Sequence, residues 1–165
     1  MLDKFKSKLD LSSVQLDGTH TPTKRGGEAV GYQGRKKCKT SNMLILSDVN
    51  GVPVACSDSI SGNHNDAFEL VKNFTGMLDS FQASKIPVDG LFLNADAGFD
   101  TKEFRNQLDE LGIIDNIDNN KRNGMNDASF IDELLYQKRF VIERTNAWLD
   151  AFKAILVKFE TKKLH

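Results

Sequence analysis

Residues 42–57 read NMLILSDVNGVPVACS. Two apolar runs flank Val49-Asn50-Gly51, and an Asn-Gly pair takes the positive φ angles of a tight hairpin turn at little cost. The stretch predicts two antiparallel strands joined there. Upstream, SSVQLDG (12–18) predicts another strand, ending in a turn at Asp17-Gly18. A short amphipathic helix over residues 1–10, with Leu2, Phe5 and Leu9 on one side, precedes it. Downstream, SGNHND (61–66) reads as a loop. Asp66 can cap a helix there, with Glu69 as its capping-box partner. That helix runs through AFELVKNFTGMLDSFQ (67–82) and is broken at Ile86-Pro87.

The remainder alternates. GLFLNADAGFD (90–100) predicts a short buried strand running into a turn. TKEFRNQLDELG (101–112) predicts a helix with Thr101 near its start and Gly112 at its stop. IIDNID (113–118) is a last short strand, NNKRNGMND (119–127) a polar loop, and the chain from about Phe130 is helical. Three early strands that can form a meander, followed by alternating helix and strand, predict a five-stranded mixed sheet flanked by helices. The expected spatial order is 3-2-1-4-5, with the first and fourth strands adjacent and parallel.

With 165 residues the chain suits one domain, 1–165, with a real core. Apolar and charged fractions of 39% and 27% are those of an ordinary globular protein. No apolar run is long enough to span a membrane, and MLDKFKSKLDL lacks the apolar core of a secretory signal. Cys38 and Cys56 lie in no metal-binding spacing and are expected as reduced thiols of a cytoplasmic protein. The net charge of −1 hides a segregation: TKRGGEAVGYQGRKKCK is basic, 66–110 is acidic, and the chain from Tyr136 is basic again. Such a chain can present a phosphate-binding surface, although a solvated surface of mixed charge reads the same way.

Two carboxylates stand out. Asp17 and Asp96 each end a predicted strand, just before a Gly-containing turn. Asp before Gly is common in turns, yet ligands of open sheets gather where strands end. If the first and fourth strands are neighbours, both carboxylates sit a few Å apart, where they repel unless they share a proton or a metal. Oxygen-only ligation suits Mg²⁺, with Mn²⁺ able to substitute. A third acid is sought in YQKRFVIERTNAWLDAFK (136–153). On a helix, Val141, Trp148, Leu149, Phe152 and Ile155 share the apolar face expected to pack, and Tyr136, Arg139, Glu143 and Asp150 share the opposite face. Glu143 is the candidate, although a helical Glu is usually solvent-exposed.

LDGTH, ADAGFD and YQKRFVIERTNAWL resemble the three blocks of the DDE transposases of bacterial insertion sequences. GGEAVGYQGRKKCKTSN and SGNHND are similar to their intervening segments. The resemblance covers about 14–162. The family's signature in the third block is Tyr-x2-Arg-x3-Glu-x6-Lys, and Tyr136, Arg139 and Glu143 match it. The resemblance implies an RNase H-like fold, with Asp17, Asp96 and Glu143 as a metal-binding catalytic triad. It implies that Tyr136 and Arg139 support the site and contact DNA phosphate. Two departures stand beside it. Asp150 occupies the signature Lys position, with Lys153 the nearest lysine, and only sixteen residues precede Asp17. The chain therefore reads as a catalytic domain without the family's N-terminal DNA-binding region, as a frameshift product or a truncated remnant would be.

The basic loop offers Lys24, Arg25, Arg35, Lys36 and Lys37 to phosphates, or is simply a solvated loop. Arg144 and Lys153 add to this set from the last helix. Its glycines do not form a Walker pattern. Asp-Gly-Thr also occurs in phosphatases of another fold. His20 and His64 are expected to be structural residues in loops, and Trp148 with Phe152 to be core. The expected function is metal-dependent DNA strand cleavage and strand transfer at transposon ends. Its partner is duplex DNA, on which a homodimer can assemble, and its location is the nucleoid of a bacterial cytoplasm. The alternatives are an inactive remnant that binds DNA or dimerises, and a stand-alone metal-dependent nuclease.

Overall fold

The computed structural model describes residues 2–120 and 131–151. In chain order these form α1 (Leu2–Phe5), β1 (Val14–Pro22), β2 (Gly31–Gln33), β3 (Cys38–Asp48), β4 (Pro53–Cys56) and β5 (Ile60–Ser61). Then come α2 (Leu70–Ala83), β6 (Phe92–Ala95), α3 (Lys102–Glu110), β7 (Ile114–Ile117), α4 (Glu133–Gln137) and α5 (Phe140–Ala151). The strands make one mixed sheet in the order β2-β3-β1-β6-β7, with β4 and β5 also paired to β3. The architecture is a mixed α/β one, a sheet accompanied by helices. Lys153, Phe152 and Ile155 lie outside the described residues, as do 121–127 of the expected polar loop.

Among the described residues the sheet has seven strands rather than five. The two additions, β2 and β5, fall in segments expected to be loops. Their cause is the length of β3: an eleven-residue strand leaves a long unpaired edge. Its outer edge is covered in turn by β2 at Cys38–Thr40, β5 at Ser41–Asn42 and β4 at Ile45–Ser47. The hairpin forms where Asn50-Gly51 predicts it, and Gly51 has a φ of +85°. Buried Asp48 holds the turn together, its carboxylate accepting from the backbone N–H of Asp10, Asn50 and Val52.

β1 does not end at Asp17. It pairs with β3 from Val14↔Asp48 to Pro22↔Thr40. Gly18 is therefore a strand residue, and His20 lies in β1 rather than in a loop. Helix α2 begins at Leu70, three residues after the expected start, because Asp66 does not cap it. Glu69 precedes α2 in a left-handed conformation, with no side-chain cap. Thr101 does cap α3, its hydroxyl accepting from Phe104 N at 3.2 Å.

Period-two alternation sorts the strands' side chains onto two faces. Val14, Leu16, Leu93, Ala95 and Ile117 point into a core completed by Phe74, Met77 and Phe81 of α2 and Phe104 and Leu108 of α3. The Phe74 and Phe104 rings meet edge to face at 5.1 Å. The opposite face carries buried amides. Gln15, Asn94 and Asn116 stand at one register of the parallel strands β1, β6 and β7. Asn94 donates to Gln15 at 2.9 Å, and Asn116 donates to Asn94 at 2.8 Å. Asn116 then exchanges hydrogen bonds with the backbone of Asp132, the N-cap of α4. Residues read as buried strands thus carry an amide ladder, which ties α4 to the sheet.

Asn94→Ala should remove one rung and leave Gln15 and Asn116 each short of a partner in a buried setting. The expected loss is about 3 kcal/mol, read by urea denaturation. A loss below about 1 kcal/mol would show that the amides do not fix the sheet.

Candidate active site

The site lies where β1 and β6 part. Their parallel pairing stops at Gln15↔Asn94. Asp17 and Asp96 are each two residues further on, so both point to the α4–α5 face at matching register. Asp96 leaves β6 and caps a single 3₁₀ turn, accepting from Gly98 N at 2.7 Å. A third carboxylate joins them. Asp66 lies against the backbone of Gly18, where a Cβ would sit 2.2 Å from its Oδ1. Gly18 is thus needed for close approach, not for a turn. Asp66 accepts from Asn42 Nδ2 at 2.6 Å and stands 3.8 Å from His20 Nε2.

These neighbours set the electrostatics. Burial pushes the Asp17 carboxyl up to about 6, with Asp96 and Asp66 adding repulsion, while the Gly18 N–H and the Arg139 charge pull it back. His20 is held below its ordinary value, mainly by burial, with Lys36 and Arg35 contributing against the opposing pull of Asp66. The Tyr136 phenol is raised by burial, against the pull of Arg139 and with the charges of Asp118 and Asp96. The Arg139 guanidinium lies 5.3 Å from the Tyr136 ring centroid and 5.2 Å from that of Phe140. Asp17, Asp96, Tyr136 and Arg139 are therefore brought to one place.

Glu143 is not among them. It is exposed, and the α5 residue that reaches Asp17 is Asn146, whose Nδ2 donates to Oδ2 at 2.9 Å. The helix is turned from the setting its apolar face predicts. Ile142 and Thr145 are buried, while Trp148 is 62% exposed. The cause is a polar dock on the hairpin: Thr145 Oγ1 donates to Gly51 O at 2.6 Å, and Arg144 donates to Asn50 O at 3.2 Å. A Cβ on Gly51 would meet Val141 at 2.7 Å, so the turn has to be glycine on steric as well as conformational grounds.

The basic residues divide. Arg35, Lys36 and Lys37 are exposed on the β2–β3 turn, and Lys36 Nζ bonds His20 O at 2.6 Å, which places the turn beside the site. Lys24 and Arg25 are exposed just past the end of β1. Arg144 is tied to the hairpin turn instead. His64 stacks on Phe68, with centroids 3.6 Å apart. Sequence reasoning missed Asp66, Asn42 and Asn146 as site residues. Only Asn146 left a signal, standing one helical turn after Glu143.

Among the described residues no three acids, histidines or cysteines stand close enough to hold a metal ion. The Asp17–Asp96 pair nonetheless suits a hard divalent cation. Its donors are oxygens, its repulsion is only partly offset by Arg139, and the adjacent Asn146 Oδ1 is buried with no hydrogen-bond donor.

The family described as Transposase DDE domain matches residues 9–163. Among solved structures, the catalytic domain of Mos1 mariner transposase aligns with a TM-score of 0.49 and 8% identity, over 94% of this chain and 86% of that one. The Mos1 transposase paired-end complex with left transposon end aligns at 0.46 and 13% identity over 87% of this chain, which spans 56% of the Mos1 chain. A pre-cleavage Mos1 transpososome aligns at 0.46 and 11% identity, over 99% of this chain and 60% of that one. No protein of curated function matches in sequence. No helix among the described residues is long and apolar enough to cross a membrane.

The raised Asp17 value makes a signed prediction. Its folded-state affinity for a proton exceeds the unfolded one, so its stabilising share is full below pH 3.8 and is lost as pH rises through about 6. His20 has the opposite slope, stability being lost as pH falls below its ordinary value of 6.5. The comparison that isolates Asp17 is therefore wild type against Asp17→Asn, both metal-free. Above pH 6 the variant should be more stable by on the order of 2–3 kcal/mol, and below pH 4 the gain should vanish. A pH-independent difference in thermal or urea unfolding would contradict the burial of this charge.

Proposed function

The chain belongs to the transposase DDE domain family, a family of DNA phosphoryl-transfer enzymes that use divalent metal ions, and on that premise we propose that it is the catalytic domain of a transposase. Its reaction is Mg²⁺-dependent cleavage and strand transfer of duplex DNA at transposon ends, with Asp17, Asp96 and Glu143 as the acids that hold the metal. The observation that carries this reading is the Asp17–Asp96 pair at matching register of β1 and β6, with the Asp17 carboxyl raised to about 6. A carboxylate pair that costs stability in the bare protein is a pair kept for a cation or for chemistry.

Asp17 and Asp96 would hold a divalent cation there, and that ion would supply activation of a water or 3′-hydroxyl and neutralisation of charge on the leaving oxygen. The chain's own residues do the rest. Asp17 and Asp96 are positioned by the strands and need no large movement. Arg139, flanked by Tyr136 and Phe140, offers a fixed guanidinium to a phosphate oxygen. Tyr136 keeps its phenolic proton across physiological pH and can donate it in a hydrogen bond. Arg35, Lys36 and Lys37 lie at the edge of the site, where the DNA backbone would leave it, with Lys24 and Arg25 beyond. Contacts of this kind go to phosphates and carry little sequence information.

The outward-facing Glu143 favours a second reading, an inactive remnant that keeps only DNA binding. Cleavage separates the two. Asp96→Asn and Glu143→Gln should each lower Mg²⁺-dependent strand cleavage by at least about a thousandfold, with duplex binding intact. Wild-type protein that binds DNA and never cleaves it would establish the remnant. Replacing Arg35, Lys36 and Lys37 together with Ala should weaken binding to all sequences alike. It should also reduce the slope of log affinity against log salt by about 2–3, read by fluorescence anisotropy. An unchanged slope would place the DNA on another surface.

A further inference from the structure

Asn146 occupies the position at Asp17 that the proposed reaction requires Glu143 to reach. The two residues are three apart on α5, so about 60° of rotation separates their directions. Two observations say that the present setting of this segment is not fully satisfied. Asn146 Oδ1 and Arg139 Nε are both buried and, among the described residues, have no hydrogen-bond partner, and both belong to residues facing the site. A buried polar atom without a partner is a standing cost. Meanwhile Glu143 is exposed, and among the described residues no cation pairs with it. Besides the buried Ile142, α5 is set by three polar contacts among the described residues: Thr145 on Gly51 O, Arg144 on Asn50 O and Asn146 on Asp17.

We propose that Asn146 is a positioning residue that latches Asp17 in the metal-free protein, and that a divalent cation displaces it and draws Glu143 in by a turn of α5. The inference rests on the metal-site reading above. Asn146 Nδ2 donates an N–H to Asp17 Oδ2, while the other oxygen, Oδ1, already accepts from Gly18 N. Amide and cation compete for Oδ2. A divalent cation also favours a carboxylate over an amide N–H as the third group, so it binds the Glu143-in setting better and shifts the population toward it. Displacement frees Asn146 from a contact that leaves its own oxygen without a donor.

The test uses Mn²⁺, with binding read from the electron paramagnetic resonance signal of the free ion. Trp148, the only tryptophan, sits two residues from Asn146 and reports α5 by its emission during a Mg²⁺ titration. Asn146→Ala should bind Mn²⁺ several-fold more tightly, up to about tenfold, because one hydrogen bond to a charged group no longer opposes it. Asn146→Ser should do the same and guards against misfolding of the alanine variant. Glu143→Gln should bind about tenfold more weakly and lose the Mg²⁺-dependent change in Trp148 emission, although this residue points away from Asp17 in the bare protein. If α5 is static, Glu143→Gln leaves Mn²⁺ affinity unchanged, and the latch is overturned. Weaker binding by both Asn146 variants also overturns it and makes Asn146 a ligand. If wild type and every variant fail to bind Mn²⁺, the metal-site reading itself falls, and the latch with it.

Discussion

Gln15, Asn94 and Asn116 join β1, β6 and β7 through side-chain amides on one face of the sheet. In a parallel sheet of short strands, backbone pairing alone specifies register weakly, and a slip of one residue would turn every side chain to the other face. Three buried amides that satisfy one another make such a slip costly. Much else follows from that register. Asp17 stands level with Asp96 because each is two residues beyond a rung. The terminal rung also holds the backbone of Asp132, which starts α4 and so sets where Tyr136 and Arg139 can reach.

Around that frame the site collects charge that the fold only partly compensates. Asp66 is folded onto Gly18, in a space no side chain could share, and joins Asp17 and Asp96 in one acidic neighbourhood. Among the described residues Arg139 is the cation whose charge lowers Asp17, and its guanidinium lies near two aromatic rings rather than in a close ion pair with it. By contrast, Arg105 across the sheet is paired with both Asp100 and Asp115 and bonds Ile117 O at 2.9 Å. Both carboxylates and the guanidinium are satisfied there, as expected of a structural network. An acid cluster left under-compensated beside an exposed basic turn is arranged for binding rather than for stability.

Much of this was legible in the chain. The hairpin at Asn50-Gly51 follows from turn chemistry, α3 from its Thr101 cap and Gly112 stop, and the strand–helix alternation from changes in period. Asp17, Asp96, Tyr136 and Arg139 could be named from their spacing and the family they resemble. Local rules failed where long-range contacts decided the outcome. Asp66 has the form of a helix cap, but Asn42, twenty-four residues earlier, takes its carboxylate. Asp17-Gly18 has the form of a turn, but β3 continues the pairing of β1 to Pro22.

The sequence by itself determined the order and kind of the elements, because propensity, capping and turn residues act over a few positions. It also supplied a set of acids and bases suited to phosphate chemistry. Only the tertiary structure decided which of them meet. The rotation of α5 shows why. Its apolar pattern places Trp148 inward, yet the hydroxyl of Thr145 on Gly51 O and the amide of Asn146 on Asp17 leave Trp148 and Phe140 in solvent, the latter 54% exposed. Periodicity measures which face of a helix prefers to be dry. The position of a particular side chain in a site depends on hydrogen bonds to groups some ninety to one hundred and thirty residues away, and those exist only once the sheet has closed.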